Sequence, residues 1–380
     1  MAEQSRMKIL SFHPFSIYAN GGGSRILRRL YQGREERVIS LAIEYSNVDP
    51  PKGDIQEVVV KASPVIRKWM RWYLRTWAMT LREKTFRQLT NRRARQAASK
   101  LQFDVIHIVH HGPFAEALCT DQFSDKPLWV SFHDHYRSTV SSYDAAKLLW
   151  SKADRRLVIS DELGREYQNS FGNKPYELIT DGVYREEISP PAARQEQPLE
   201  IYFAGLLHLA YLPLFETLAN ALDILSKKGL SFKLILRATQ QLPFLANRLF
   251  EVEYRNMTLD NAELKAELDS AALLYLPIKF TDVDFYLYSL STKMVGYLGA
   301  PGSILYHGPM DSAACKLLLE WRAAACCGTL NVNDLISSIS DAITNQKTYS
   351  IQAKRFVQDK FDMATIQNKF WQMPAEHKLS

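Results

Sequence analysis

Short apolar runs alternate with stretches of helical spacing along almost the whole chain. Residues 7–12 form the first apolar run, and Gly21-Gly22-Gly23-Ser24 then opens a helix carrying Arg25, Leu27, Leu30 and Tyr31. Residues 37–41, 57–60, 103–108, 128–132, 156–160 and 176–179 predict six more strands, with a long helical stretch before residue 103. Strands this short and this apolar, separated by helices, imply a parallel sheet covered on both faces. Residues 186–198 interrupt the rhythm: they hold Pro190, Pro191 and Pro198, few apolar side chains, and the composition of a linker. The pattern then restarts with a strand at 199–204, a helix at 214–228 and strands at 232–236, 252–254, 272–277 and 303–306. The expected organisation is therefore α/β, with one Rossmann-like domain over 1–185, a linker over 186–198 and a second over 199–350. The segment 351–380 reads as closing helices with Phe356, Phe361, Ile366, Phe370 and Trp371 on their apolar side. Two such halves place a ligand cleft between them.

Composition narrows the class. With 380 residues, 46% hydrophobic and 23% charged, the chain is neither disordered nor collagen-like and is long enough for two cores. No apolar stretch approaches the roughly 18–20 residues of a membrane span, and the N-terminus lacks the apolar core of a signal peptide. Cys119, Cys315, Cys326 and Cys327 show no C-x-x-C spacing, so reduced thiols in a cytoplasmic protein are expected, without zinc or disulfides. Charge is unevenly spread. Between Lys61 and Lys100 stand twelve Lys/Arg against one acid, Glu83, while the whole chain is only +6. Within that segment Arg67, Lys68, Trp69, Arg71, Trp72, Tyr73, Arg75 and Trp77 interleave cations with aromatics at helical spacing. Such a helix suits an anionic membrane surface, each near-surface cation contributing about 1 kcal/mol. A solvated helix packing its Trp face on the sheet is the plainer alternative. Nucleic-acid binding is the least supported, since no nucleic-acid motif accompanies the segment.

Four groups of residues, in this order, resemble glycosyltransferases of the GT-B fold, most like family 4. They are Asn20 to Arg25; Phe103-Asp104-Val105-Ile106-His107 with Val130-Ser131-Phe132-His133-Asp134; Ala153-Asp154 to Ser160 with Ile179-Thr180-Asp181-Gly182-Val183; and Tyr275-Leu276-Pro277 with Ser291-Thr292-Lys293 to Ala300. The resemblance implies two Rossmann-like domains facing across a cleft, the acceptor on the first and a sugar nucleotide on the second. It also implies that the final helix crosses back to the first domain. Two family features are replaced. The Arg and Lys that relatives place after the first strand of the second domain are absent from Gly205 to Tyr211, with Leu206 and Tyr211 in that stretch. The helix glutamate is Gly296.

Sugar transfer requires the leaving diphosphate to be stabilised. Ser291, Thr292 and Lys293 are the candidate donor ligands, offering hydroxyls, free N–H groups of a helix start and a cation; an ordinary N-cap is the alternative. Arg237, ending a strand, is a candidate replacement for the missing phosphate charge. Asp282 and Asp284 are candidates for donor-sugar hydroxyls, and Tyr297 is placed on the donor helix. Gly22, Gly23, Ser24 and Arg25 form a candidate phosphate or acceptor loop, glycine allowing close approach and positive φ. His133 follows an apolar strand directly. The resemblance implies that it contacts the donor sugar, with Asp134 or His135 orienting it or accepting a proton; a strand-end cluster bonded to its own loops is the alternative. His107, His110 and His111 lack metal-ligand spacing.

The expectation is a transferase (EC 2.4) moving a sugar from a nucleotide-diphosphate donor to a glycan or lipid-linked acceptor in cell-surface polysaccharide synthesis. It would act with retention, without a metal or other cofactor, at the inner face of the cytoplasmic membrane. A non-catalytic nucleotide- or glycan-binding protein, or a scaffold at a membrane, stays open because of Leu206, Tyr211 and Gly296.

Overall fold

A computed structural model gives the fold and describes residues 7–44, 53–62, 86–191, 197–205, 207, 209–258 and 260–376. The chain divides into two compact units, one of residues 1–181 with 365–380, the other of residues 182–364. The division falls at Asp181–Gly182, ahead of the proline-rich stretch, so residues 182–191 belong with the second unit. The last residues return to the first unit.

The first unit is built on a seven-stranded parallel sheet of order β3-β2-β1-β4-β5-β6-β7. These are β1 (Ile9–His13), β2 (Val38–Glu44), β3 (Gln56–Lys61), β4 (Val105–Val109), β5 (Leu128–Phe132), β6 (Arg155–Val158) and β7 (Glu177–Leu178). Every residue of β1, β4 and β5 is buried, as strands covered on both faces require. Ile9 pairs with Val38 on one side and Val105 on the other, so β1 lies between strands reached in opposite directions. Helix α1 (Gly22–Tyr31) follows β1, and α2 (Arg87–Ala98) precedes β4. Helices α3 (Tyr143–Lys152) and α4 (Asp161–Phe171) are each started by a serine: Ser142 accepts from Ala145 N–H and Ser160 from Leu163 N–H, both at 3.1 Å. Gly172, at φ 112°, ends α4.

One core lies under these helices, where Phe132, Trp150 and Tyr167 meet with ring centroids 5.1–5.6 Å apart. Helix Met363–Trp371 ends in the first unit, where Phe370 packs edge-on to Trp129 at 5.3 Å and Trp371 donates its indole N–H to Leu30 O at 3.0 Å.

The second unit has a six-stranded parallel sheet, β10-β9-β8-β11-β12-β13. Its strands are β8 (Leu199–Ala204), β9 (Phe232–Arg237), β10 (Glu251–Arg255), β11 (Leu273–Pro277), β12 (Ser303–His307) and β13 (Ala324–Cys327). Helix α5 (Leu212–Lys227) lays Phe215, Leu218 and Leu222 on the sheet, and Phe215 meets Phe203 and Tyr275 at 5.0 and 5.3 Å. Helices α6 (Asn261–Ser270), α7 (Val283–Tyr288), α8 (Thr292–Gly299), α9 (Ala313–Glu320) and α10 (Val332–Thr344) connect or follow the later strands. In both sheets the first strand of the unit is the point where strand order reverses. Ligands of open α/β sheets bind outside the carboxyl ends of the strands there.

The basic aromatic residues Arg67, Lys68, Trp69, Arg71, Trp72, Arg75 and Trp77 lie outside the described residues. Among the described residues no helix is long and apolar enough to cross a membrane.

Candidate functional site

In the second unit the reversal point gathers the end of β8 and the start of α8. Ser291 occupies the N-cap position of α8 with extended backbone, yet its hydroxyl does not cap the helix. The first intrahelical bond runs from Val295 N–H to Ser291 O, so the N–H groups of Thr292, Lys293 and Met294 precede the helical ladder. By contrast α6, α7, α9 and α10 are closed by Asp260, Asp282, Ser312 and Asn331.

Lys293 turns back to β8. Its ammonium lies over the Phe203 ring, 5.3 Å from the centroid, and beside Gly205. Gly205 has φ 140°, and a Cβ there would stand 3.0 Å from Lys293 Nζ, so glycine provides both the conformation and the room. Among the described residues no carboxylate faces this ammonium, and burial alone draws its pKa from 10.5 down to about 8. Among the described residues the site thus holds a cation without a counter-charge beside a helix start whose first N–H groups have no partner, an arrangement that favours an anion.

Other expected donor ligands are placed differently. Arg237 is largely engaged within the unit. Its Nε donates to Glu267 Oε2 at 2.6 Å, Nη1 to Asn256 O, and Nη2 to Glu263 Oε1 at 2.7 Å and to Glu267 Oε1. Four of the five guanidinium N–H donors are thus engaged by two carboxylates and a carbonyl of the unit, which leaves one Nη1 N–H for a further acceptor. Asp282 caps α7 through Phe285 N–H (3.2 Å) and pairs with Lys279 (2.9 Å). Asp284 stands in the first turn of the same short helix. Tyr297 is buried and its hydroxyl accepts from Ala204 N–H at 3.4 Å, supporting the end of β8. Tyr211 is half-buried against the unit's apolar core.

In the first unit, histidines collect where β1, β4 and β5 end. His13 closes β1, His110 and His111 follow β4, and His133 follows β5. His133 is 7% exposed, and burial first, then the neighbouring His111 and His13, holds its pKa at about 4. It is a neutral imidazole at pH 7, able to accept a proton or a hydrogen bond. His107 is structural: Tyr31 OH and Ser131 Oγ engage its two nitrogens at 2.6 and 2.7 Å. His110 meets Ser141 Oγ at 2.9 Å. His135 turns toward Tyr136 (4.5 Å between rings) and stands 4.0 Å from Glu166, in the aromatic core rather than beside His133. Asp134 is half-buried next to it in sequence.

The glycine-rich turn works by proximity, without positive φ. Gly21 is extended at φ 178°, and neither Gly22 nor Gly23 has a positive φ. Gly23 is small because the Phe15 ring lies where its Cβ would be, 2.8 Å away. Ser24 donates to Ser16 O at 3.0 Å. Arg25 Nε donates to Asp181 Oδ2 at 2.8 Å, and Arg29 Nε stands 3.5 Å from the other oxygen of that buried carboxylate.

Two features escape the sequence reading. Phe203 and Gly205 shape the Lys293 recess, and a glycine directly after an apolar strand is their only local signal. Glu57 is the other: an acid directly before the Val58–Val60 run of an edge strand, held by three donors of the first unit.

Comparison with known proteins bears on this arrangement. Residues 21–187 match the model of Glycosyltransferase Family 4. No curated protein matches the chain in sequence. Among solved structures, sucrose-phosphate synthase from Thermosynechococcus elongatus is similar over 96% of this chain and 98% of its own, at 13% identity and TM-score 0.66. Anabaena HepE, in complex with UDP and glucose, is similar over the same shares at 14% identity and TM-score 0.64. The α,α-trehalose-phosphate synthase of Burkholderia xenovorans, in complex with glucose-6-phosphate, shares 11% identity at TM-score 0.64, again over 96% and 98%. At these identities the likeness establishes the fold, and the fold is GT-B.

Proposed function

We propose that this glycosyltransferase moves a sugar from a uridine-diphosphate donor, bound by the second unit, to a glycan or lipid-linked acceptor bound by the first. The observation that carries the donor half is Lys293, an ammonium with no counter-charge among the described residues beside the uncapped start of α8. Lys293 would balance the charge of the departing diphosphate, with Ser291, Thr292 and the helix N–H groups completing its hydrogen bonds. The complex of HepE with UDP supports uridine as the base. His133 is the residue proposed to touch the reacting sugar, its neutral imidazole serving as hydrogen-bond or proton acceptor.

Transfer is proposed to retain anomeric configuration, as the family 4 resemblance implies, and to need no metal. The basic aromatic segment within residues 61–100 supports peripheral association with an anionic membrane face and a role in cell-surface polysaccharide synthesis. His133→Ala is expected to lower transfer by at least about 100-fold while leaving nucleotide binding intact, with wild-type transfer unchanged in EDTA. Measuring both activities on the purified variant checks this. Strict Mn²⁺ dependence, or full transfer by the variant, contradicts it.

A second reading, a non-catalytic nucleotide- or glycan-binding protein, is favoured by Gly296 and by the engagement of Arg237, which leaves fewer charges for the diphosphate. Nucleotide binding with no transfer to any acceptor and no donor hydrolysis would select it.

A further inference from the structure

Glu57 lies on β3, paired in register with Ser40 of β2, and its carboxylate faces the loop between β1 and α1. Oε1 accepts from Ser16 Oγ at 2.6 Å; Oε2 accepts from the Ile17 amide and from Ser40 Oγ, both at 2.8 Å. Ser40 Oγ also stands 3.1 Å from His13 Nε2, and His13 Nδ1 meets Phe15 O. The same loop is gripped from α1, where Arg28 Nη1 donates to Ile17 O at 2.7 Å and Ala19 O at 3.0 Å, and Ser24 donates to Ser16 O. Tyr18 adds a third tie, its hydroxyl accepting from Ile55 N–H at 2.6 Å.

Every bond to Glu57 comes from a donor, so the position calls for a group with several acceptor sites aimed at the loop. The Glu57 carboxylate meets that demand with both oxygens, Oε2 alone taking two of the three bonds. Phe15, fixed between His13 and Glu57's partner Ser16, then lies against Gly23 and sets the entry to α1.

We propose that Glu57 is a positioning residue for the glycine-rich loop: it fixes Ser16, Ile17 and, through Ser40, His13, and thereby the placement of Phe15 and the start of α1. The functional consequence rests on the reading above that the first unit binds the acceptor. Glu57 holds the acceptor side of the reaction and has no part in binding the nucleotide.

The test compares Glu57→Ala and Glu57→Gln with wild type by hydrogen–deuterium exchange, acceptor KM and the thermal shift given by UDP. Glutamine can still accept from Ile17 and Ser40 through its carbonyl oxygen while its NH₂ meets Ser16 Oγ, a hydroxyl that accepts as well as donates. In Glu57→Ala, amide exchange over residues 16–24 is expected to rise about tenfold or more and acceptor KM by about tenfold, with the UDP shift unchanged. In Glu57→Gln both quantities are expected to stay within about threefold of wild type.

Unchanged loop exchange in the alanine variant overturns the proposal, as does a glutamine variant as loosened as the alanine one. Loss of the UDP shift in either also overturns it. A loosened loop with an unchanged acceptor KM leaves the positioning role standing and instead refutes acceptor binding by this loop. Should Glu57→Ala not fold, Ser16→Ala, which removes one of the three bonds, must give the same pattern at smaller size; its absence overturns the proposal.

Discussion

Replacing Lys293 by alanine is expected to lower kcat/KM for transfer by about 100- to 1,000-fold, the loss that follows removal of one preorganised group stabilising a leaving oxyanion. Apo stability should not fall with it. The ammonium sits over Phe203 with no counter-charge among the described residues, so its burial opposes folding, and the depressed pKa of about 8 records that cost. Lys293→Met, which keeps the stem and removes the charge, is therefore expected to melt no lower than wild type while binding nucleotide far more weakly.

The pH dependence follows with a definite sign. Below about pH 8 the side chain is charged and nucleotide affinity is full; as pH rises through that value the free protein loses the proton and affinity declines. An ordinary lysine would show the decline near 10.5. For the unliganded protein the contribution to stability runs the other way. The unfolded chain holds the proton up to about 10.5, so stability rises between about pH 8 and 10.5. Differential scanning fluorimetry and calorimetry across pH 7–10 read both trends. A flat affinity profile, or a destabilised Lys293→Met, goes against the assignment.

The second large effect is on stability. Glu267, 6% exposed, accepts from Arg237 at both oxygens, from Arg255 Nη1 at 2.7 Å and from Tyr202 OH at 2.7 Å. Glu267→Ala leaves two guanidinium groups and a phenol facing a vacated position, and the expected loss is about 3–5 kcal/mol of unfolding free energy. Burial pushes the Glu267 carboxyl up, but the bonds from Arg237, Tyr202 and Arg255 outweigh it and hold the pKa below 4.5. A depressed carboxyl contributes stability that is full above its unfolded value and is lost as pH falls through the folded one. The wild type should therefore lose this contribution only below about pH 4.5, and Glu267→Gln should lack it at pH 7. Urea unfolding at pH 7 and pH 4 measures the difference. Equal stability of Glu267→Ala and wild type would mean that the network contributes nothing.

These two sites also show what a linear sequence carries. Strands β1, β4, β5, β8 and β12 are legible because parallel strands covered on both faces must be apolar throughout. The strand Ala324–Cys327 escapes notice because Ala-Ala-Cys-Cys lacks the β-branched and aromatic residues that mark a strand. The residues at strand ends, His13, His133 and Gly205, are located by the same runs that define the strands. What a side chain meets across strands is another matter. Arg237 stands at a strand end, where an unpaired cation would suit phosphate. Its carboxylates lie 26 and 30 residues later, one helical turn apart on α6, and nothing local shows which way that turn faces. Gly23 is legible as a glycine and illegible in purpose, because the constraint is the Phe15 ring and not a backbone angle. Glu57 acts through Ser16, Ile17 and Ser40, and that set exists only after β2 and β3 pair.

A nucleoside diphosphate held by Lys293 at the start of α8 is the centre of the proposed chemistry. Calorimetric titration of the purified chain with UDP tests it most directly. The expected result is one site per chain in the wild type, retained in His133→Ala and lost or weakened at least about 100-fold in Lys293→Ala. No heat of binding with UDP in the wild type, or equal binding by Lys293→Ala, would contradict it.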